Sequence, residues 1–417
     1  MVLSALKANA KSAFLAGVNA ADPARTLCQA FENEPLSELN DGKYIIISVG
    51  KAACKMAKSA INALPEGAGF SAIAVTNYEN VVKLDGCRVF GAAHPVPDAN
   101  GQAAANEVIA LLETAAENDV ILALISGGSS ALLPSPVCGV SLDDKAKVNE
   151  ILLQSGFDIT RMNLVRQSLS NLKGGGFLRY AQPAKVRSYI LSDVLGDDLR
   201  VVGSGPSIGP IGTLKDAREL LVETGNFDKM PESVRRHFKT AQEPVIARPQ
   251  HATLICSNSQ SLAAMAEKAG AIIMPDPLIG DVHDAAARIL KDVEDHKGKG
   301  AFALAYGGET TVALLGKGRG GRNQELALLV AQKATRAGLA GTWVFLSGGT
   351  DGRDGPTDAA GGLVDRATLD RIAENGGKIA GLLANNDSYT ALKLSGDLLM
   401  TGATGTNVAD LQLFLMG

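Results

Sequence analysis

The chain has 417 residues, 46% of them hydrophobic, 20% charged and 4% aromatic, with a formal net charge of −4. That length exceeds what one core holds, so two domains are expected, and the composition is that of a soluble globular protein. The charge balance and scarce aromatics exclude an electrostatic case for nucleic acid or an anionic membrane and leave no stacking platform for single strands.

In chain order, residues 1–19 read as a helix with Lys7 and Lys11 in a short amphipathic pattern. No long apolar run follows them, so a signal peptide is not expected, and no stretch approaches the ~20 apolar residues of a membrane span. Cys28, Cys54, Cys87, Cys138 and Cys256 are odd in number and contain no C-x-x-C pair. They argue against a disulfide framework or zinc site and for a reducing cytoplasm. Asp22-Pro23 starts a second helix, and a strand over 44–49 runs into Gly50-Lys51. Strands over 72–76 and 88–93, the rigid loop His94-Pro95-Val96-Pro97-Asp98 and a helix over 103–116 follow.

Next, the apolar run 121–125 ends abruptly in Ser126, Gly127, Gly128, Ser129 and Ser130. It reads as a buried parallel strand passing over a tight turn into a helix start. Glycines admit a close ligand, and hydroxyls and free N–H groups supply donors for phosphate or carboxylate. A turn with no ligand is the plain alternative. Strand–helix alternation of this kind predicts an α/β fold with a doubly wound parallel sheet covered on both faces.

Helices over 141–154 and 158–172, a strand over 188–191, the polar run 192–198, a loop over 202–210 and helices near 214–224 and 232–240 lead to a linker at 242–249. The expected domains are therefore 1–245, with the doubly wound sheet, and 246–417, a second α/β domain. In the second, strands are expected over 253–257, 271–274, 301–306, 310–315 and 342–346, with helices over 259–269, 282–294 and 323–337. No short period recurs, so a repeat architecture is not supported.

Polar or glycine-rich loops stand at Gly50-Lys51, 126–130, 192–198, 307–309 and 347–357, each where a strand ends. Ligands of open parallel sheets sit beyond the strands' carboxyl ends, so one shared site is expected. Lys51 projects there, with a solvated surface lysine as the alternative. Arg322, before a helix, can clamp a phosphate or carboxylate bidentately. The loop before it contains Gly316-x-Gly318-x-x-Gly321, a formal dinucleotide fingerprint, but 332–346 holds none of the acidic residues the fingerprint requires. No Gly-Lys pair is followed by Ser or Thr, so a Walker A loop is absent. The run from Asp351 to Asp358 has the spacing of a calcium loop but places Gly362 where the bidentate Glu belongs. Asp193, Asp197, Asp198 and Asp351 can hold Mg2+ or accept a proton, or can be turn-forming residues. His94 reads as a packing or capping residue. Neither G-x-S-x-G nor H-E-x-x-H occurs.

Together these stretches resemble the class II glycerate kinases, whose carboxy-terminal domain is called MOFRL. The likeness runs through Val49-Gly50-Lys51-Ala52-Ala53, His94-Pro95-Val96-Pro97-Asp98, residues 126–136, Leu172-Lys173-Gly174-Gly175, Ser192-Asp193-Val194 and Gly203-Ser204-Gly205-Pro206. It continues through Gly307-Gly308-Glu309-Thr310-Thr311, Gly320-Gly321-Arg322-Asn323-Gln324-Glu325, residues 349–361, Asn386-Asp387-Ser388-Tyr389 and residues 401–408. The segment 349–361 is the most specific of these.

The resemblance implies ATP-dependent phosphorylation of D-glycerate to 2-phospho-D-glycerate with Mg2+, by a cytoplasmic monomer or homodimer. It also implies an active site in the cleft between a Rossmann-like domain and the smaller one. On that reading Lys51, Arg322 and Asp351 are the catalytic candidates. Ser126, Gly127, Gly128, Ser129, Ser130, Glu309 and Asn323 bind substrate or phosphate, and Asp193 holds the metal. The rival readings are an NAD(P)H-dependent hydroxypyruvate reductase and a non-catalytic sugar-acid binding protein. One departure is visible: the family often carries a His in the helix before Lys-Gly-Gly, where this chain has Ser168.

Overall fold

The run expected over 44–49 forms β1 (Tyr44–Val49), buried along its whole length in the computed structural model, which describes residues 2–194, 196–245, 251–298 and 300–417. Such burial is what a strand covered on both faces requires. β2 (Phe70–Asn77), β3 (Cys87–Ala92), β4 (Val120–Ile125), β5 (Lys185–Leu191) and β6 (His251–Cys256) complete a sheet of order β3-β2-β1-β4-β5-β6. β1 pairs parallel with β2 and β4, β2 with β3, and β4 with β5. The register levels their ends, with Val49 opposite Val75 on one side and Ile125 on the other. One face, through Ile45, Ile47, Ile121 and Ile125, shares a core with Ala104, Val108 and Leu112 of the helix Ala99–Leu112.

These elements lie in one unit, Pro23–Ile255; the other comprises Met1–Asp22 and Cys256–Gly417. The second unit holds β7 (Ile272–Ile273), β8 (Leu278–Asp281), β9 (Phe302–Thr311), β10 (Trp343–Gly349), β11 (Gly361–Asp365), β12 (Leu398–Leu399) and β13 (Asp410–Met416). Their order is β12-β11-β10-β13-β9-β7, with β8 beside β9. β13 is antiparallel to β9 and β10, whereas β7 and β8 are parallel to β9, so this sheet is mixed. The pleat sorts its side chains. Val344, Leu346, Leu411 and Leu413 join the helices Val2–Ala20 and Asn258–Ala269 in one core. Leu304, Phe345 and Phe414 join the helices Val282–His296 and Arg322–Arg336 in another.

The division differs from 1–245 and 246–417. The first helix packs on the second sheet through Ala10, Ala13 and Phe14. The strand expected to open the second domain is β6, the edge of the first sheet. Which sheet an apolar strand or helix joins is settled by tertiary pairing, and neither segment carries a local mark of it. Residues 246–250 of the expected linker lie outside the described residues. The strands expected at 301–306 and 310–315 are one, because Gly307 and Gly308 stay in the ladder opposite Leu411 and Asp410. No helix among the described residues is long and apolar enough to cross a membrane.

Candidate functional site

Strand order reverses between β1 and β4, so the loops leaving them meet at the switch point where sheets of this kind bind ligands. Gly50-Lys51 leaves β1 and Ser126 leaves β4. The Lys51 N–H donates to the Gly127 carbonyl at 2.9 Å, and the Ser126 N–H to the Val49 carbonyl at 2.9 Å. The Ser126 hydroxyl accepts from the Ala52 N–H at 3.2 Å and is fully buried, so it braces the two turns. Gly50 adopts φ 127°, and a Cβ there would stand 2.2 Å from Ser126 Oγ, which is why the loops approach only with glycine. Gly128 adopts φ 84° with the His94 ring and the Lys51 side chain against it. The helix expected after this turn is one short segment, Ser129–Leu132. Ser129 Oγ is buried without a partner, and Ser130 Oγ accepts from Lys173 Nζ at 2.7 Å.

Lys173 leads to side chains whose roles the sequence does not announce. A cavity of about 390 Å³ is lined by Lys173, Lys145, Arg166, His94, Gly128 and Ser130. Lys145 and Arg166 sit on the helices Leu142–Gln154 and Ile159–Ser168, where a cation is unremarkable in sequence. A second cavity, about 420 Å³, is lined by Ser168, Gln167, Asn171, Lys173 and His237. His237 Nε2 lies 2.9 Å from the Ser168 carbonyl oxygen, so an imidazole from a different helix stands beside Ser168. Burial depresses the His237 pKa.

The other unit gathers Glu309, Arg322, Asn323 and Asp351 near strand ends. Arg322 Nε and Nη2 hold Asp410 at 2.6 and 3.1 Å, and Nη1 lies 2.7 Å from Glu309. Burial works against the Arg322 charge, but Asp410 and Glu309 outweigh it and raise its pKa. The expected anion clamp is thus already a fork on a protein carboxylate. Asn323 Oδ1 accepts from the Ser347 hydroxyl at 2.6 Å. The aspartates of 351–358 divide between different tasks. Asp351 accepts from the Arg353 N–H, Asp358 from the Tyr389 hydroxyl, and Asp354 caps the helix Arg322–Arg336 by accepting from the N–H groups of Asn323 and Gln324.

The fingerprint glycines also find an explanation here. A Cβ on Gly316 or Gly318 would fall 2.3 or 2.5 Å from the Asn385 carbonyl oxygen, and one on Gly321 would fall 2.3 Å from the Asp354 side chain. These glycines are required by close protein neighbours.

Burial pushes the Asp354 carboxyl up to about 7, against the helix N–H groups that favour its charge. A carboxyl whose folded pKa exceeds its unfolded value, ~3.9, binds more protons folded than unfolded between the two. Stability therefore falls as pH rises from about 4 to 7. Asp354→Asn is expected to flatten that slope when urea midpoints are followed across the same range. An unchanged slope would assign it elsewhere.

Asp193 follows β5 and is half-buried, while Asp198 pairs with Arg200 at 2.7 Å. Leu195, between them, lies outside the described residues. Among the described residues no group of three or more His, Cys, Asp or Glu side chains is placed to hold a metal. That donor set does not fit an all-protein cage.

Two family models match the chain. Residues 9–239 match a domain of unknown function (DUF4147), and residues 302–410 match the MOFRL family. The chain is 41% identical over 398 residues to the D-glycerate 2-kinase of Thermotoga maritima, covering 92% of this chain and 93% of that one. It is 38% identical over 421 residues to a putative hydroxypyruvate reductase of Agrobacterium vitis, covering 97% and 93%. The crystal structure of a Thermotoga maritima glycerate kinase superposes with a TM-score of 0.87 at 37% identity, covering 99% of this chain and all of that one. The chain belongs to the glycerate kinase family built from a DUF4147 region and a MOFRL domain.

Proposed function

We propose that this protein transfers the γ-phosphoryl group of ATP to the 2-hydroxyl of D-glycerate. The observation that carries the reading is the 41% identity, over 92% of the chain, to a D-glycerate 2-kinase. In the reaction the glycerate oxygen forms a bond to phosphorus, the β–γ bridging bond breaks, ADP leaves, and the hydroxyl proton passes to a carboxylate, for which Asp351 is the candidate. Such transfer rests on positioning and charge stabilisation, with little covalent work for the protein. Lys51 supplies a cation beside the turns that end β1 and β4. Arg322 retains N–H donors beyond those given to Asp410 and Glu309, and those carboxylates fix its plane for a substrate anion. Mg2+ would travel with the nucleotide phosphates, with Asp193 as its protein ligand, and would neutralise charge there.

Lys51→Ala is expected to fold normally, since the side chain is only half-buried, and to lose roughly 10²-fold or more in turnover. A coupled ADP assay with D-glycerate reads this, and near-wild-type turnover would remove Lys51 from the mechanism. Product NMR distinguishes the 2-phosphate from the 3-phosphate. Oxidation of NADH with hydroxypyruvate would instead establish a reductase, a reading opposed by the close protein neighbours that account for the glycines from Gly316 to Gly321. Thermal stabilisation by glycerate without ATP turnover would establish a binding protein.

A further inference from the structure

The cavity bordered by Lys145, Arg166 and Lys173 holds three cations that are not neutralised by a carboxylate contact. Among the described residues none of the three has a carboxylate partner. Lys145 Nζ is buried with no hydrogen-bond partner at all. Lys173 Nζ donates to the neutral Ser130 hydroxyl, and Arg166 Nε donates to the Asn149 side-chain oxygen at 2.7 Å. The one carboxylate on the wall, Glu150, is held by Lys147 at 2.7 Å and by the Gln154 amide at 3.2 Å. Burying unpaired cations side by side is costly, and proteins keep such clusters where an anion completes them. The cost is visible in the groups themselves. Burial, then Arg166, pushes the Lys145 ammonium down to about 8, and burial, Lys145 and Arg166 depress Lys173 well below the usual lysine range.

Another part of the wall is apolar. Val96 and Leu153 line it and are 67% and 60% exposed, with Leu142 and Pro97 beside them. A small hydroxy acid carries one negative charge and little apolar surface, so it matches neither half of this cavity. A nucleoside polyphosphate has several adjacent negative charges and a flat apolar base, which matches both, and about 390 Å³ is within the range of ligand pockets. Gly128, against which the Lys51 side chain lies, also borders the cavity, so the cations stand next to the residue proposed for transfer.

We propose that Lys145, Arg166 and Lys173 form the polyphosphate seat of the nucleotide and that the wall around Val96 and Leu153 receives the base. This inference rests on the kinase reading and places nucleotide binding in the Pro23–Ile255 unit. Lys145→Met in the full chain is expected to weaken binding of a fluorescent ADP analogue about tenfold or more, as is Lys173→Met. Lys145→Arg should restore most of that affinity. Tripolyphosphate should displace the analogue from wild type, and the KM for D-glycerate should stay unchanged in Lys145→Met while the KM for ATP rises. Because Lys145 is unpaired, Lys145→Met should melt no lower than wild type, which a merely structural lysine would not allow. Unchanged analogue affinity in both methionine variants overturns the proposal. So does a rise confined to the glycerate KM, or displacement by D-glycerate in place of tripolyphosphate. If the analogue binds and responds as expected but glycerate never yields ADP, the seat stands and the kinase reading falls.

Discussion

Arg322→Met should abolish glycerate-dependent ADP formation and destabilise the fold by about 3–5 kcal/mol, the cost typical of breaking a buried ion pair from one side. Asp410 is 1% exposed and depends on the Arg322 fork for its compensation, with Glu309 drawn to the same guanidinium. Methionine fills the volume but leaves the Asp410 charge without its partner. Arg322→Lys should keep much of the stability and little of the activity, because an ammonium cannot reproduce a planar two-point contact. Adding Asp410→Leu to Arg322→Met should recover stability without recovering turnover. Urea denaturation alongside the coupled assay checks the series. A wild-type midpoint for Arg322→Met would mean that the pair contributes nothing to folding.

Lys7→Met should have the next largest effect, about 3 kcal/mol of lost stability, although it lies far along the chain from any catalytic candidate. Lys7 Nζ is 2.6 Å from both Asp365 Oδ2 and Asp397 Oδ1, and both carboxylates are buried. Arg371 holds the same pair at 2.9 and 2.6 Å, so losing Lys7 leaves two buried carboxylates facing one cation. Burial raises the Asp365 pKa, but Arg371 and Lys7 outweigh it, and the net direction is down. A depressed carboxyl contributes stability above its unfolded pKa, ~3.9, and loses it as pH falls through the folded value. Lys7→Met should therefore shrink the acid limb of the stability curve below about pH 4 as well as lower its plateau. An unaltered midpoint at neutral pH would show that Arg371 alone suffices.

Much of this fold is legible residue by residue. β1 and β4 are continuous β-branched or leucine-rich runs because both faces are covered, and the tight polar loops after them mark their ends. The helices Glu232–Thr240 and Leu214–Glu223 follow from local amphipathic patterns, the latter with a Thr213 capping box. β11 is not legible in the same way. Gly361-Gly362-Leu363-Val364-Asp365 begins with two poor strand formers, and it is a strand because β10 and β12 flank it. Gly307 and Gly308 look like a strand end but continue β9, since a Cβ at either would stand 2.1 Å from Asn258 Oδ1 or the Leu278 carbonyl oxygen. Glycine there reports a close neighbour.

The candidate site divides along the same line. By itself the sequence determined that the motifs holding Lys51, the turn from Ser126 to Ser130, Arg322 and Asp351 resemble those of a family with a defined chemistry, because each motif is contiguous and carries its turn geometry within it. Only the tertiary structure decided which side chains are already engaged. Ser126 braces a turn, Arg322 grips Asp410, and Asp354 caps a helix. It alone joins Lys145, Arg166 and Lys173, separated along the chain and unremarkable one by one, around a single cavity. The physical reason is that burial and the lack of a carboxylate contact are properties of surroundings, which chain folding creates and no local pattern encodes.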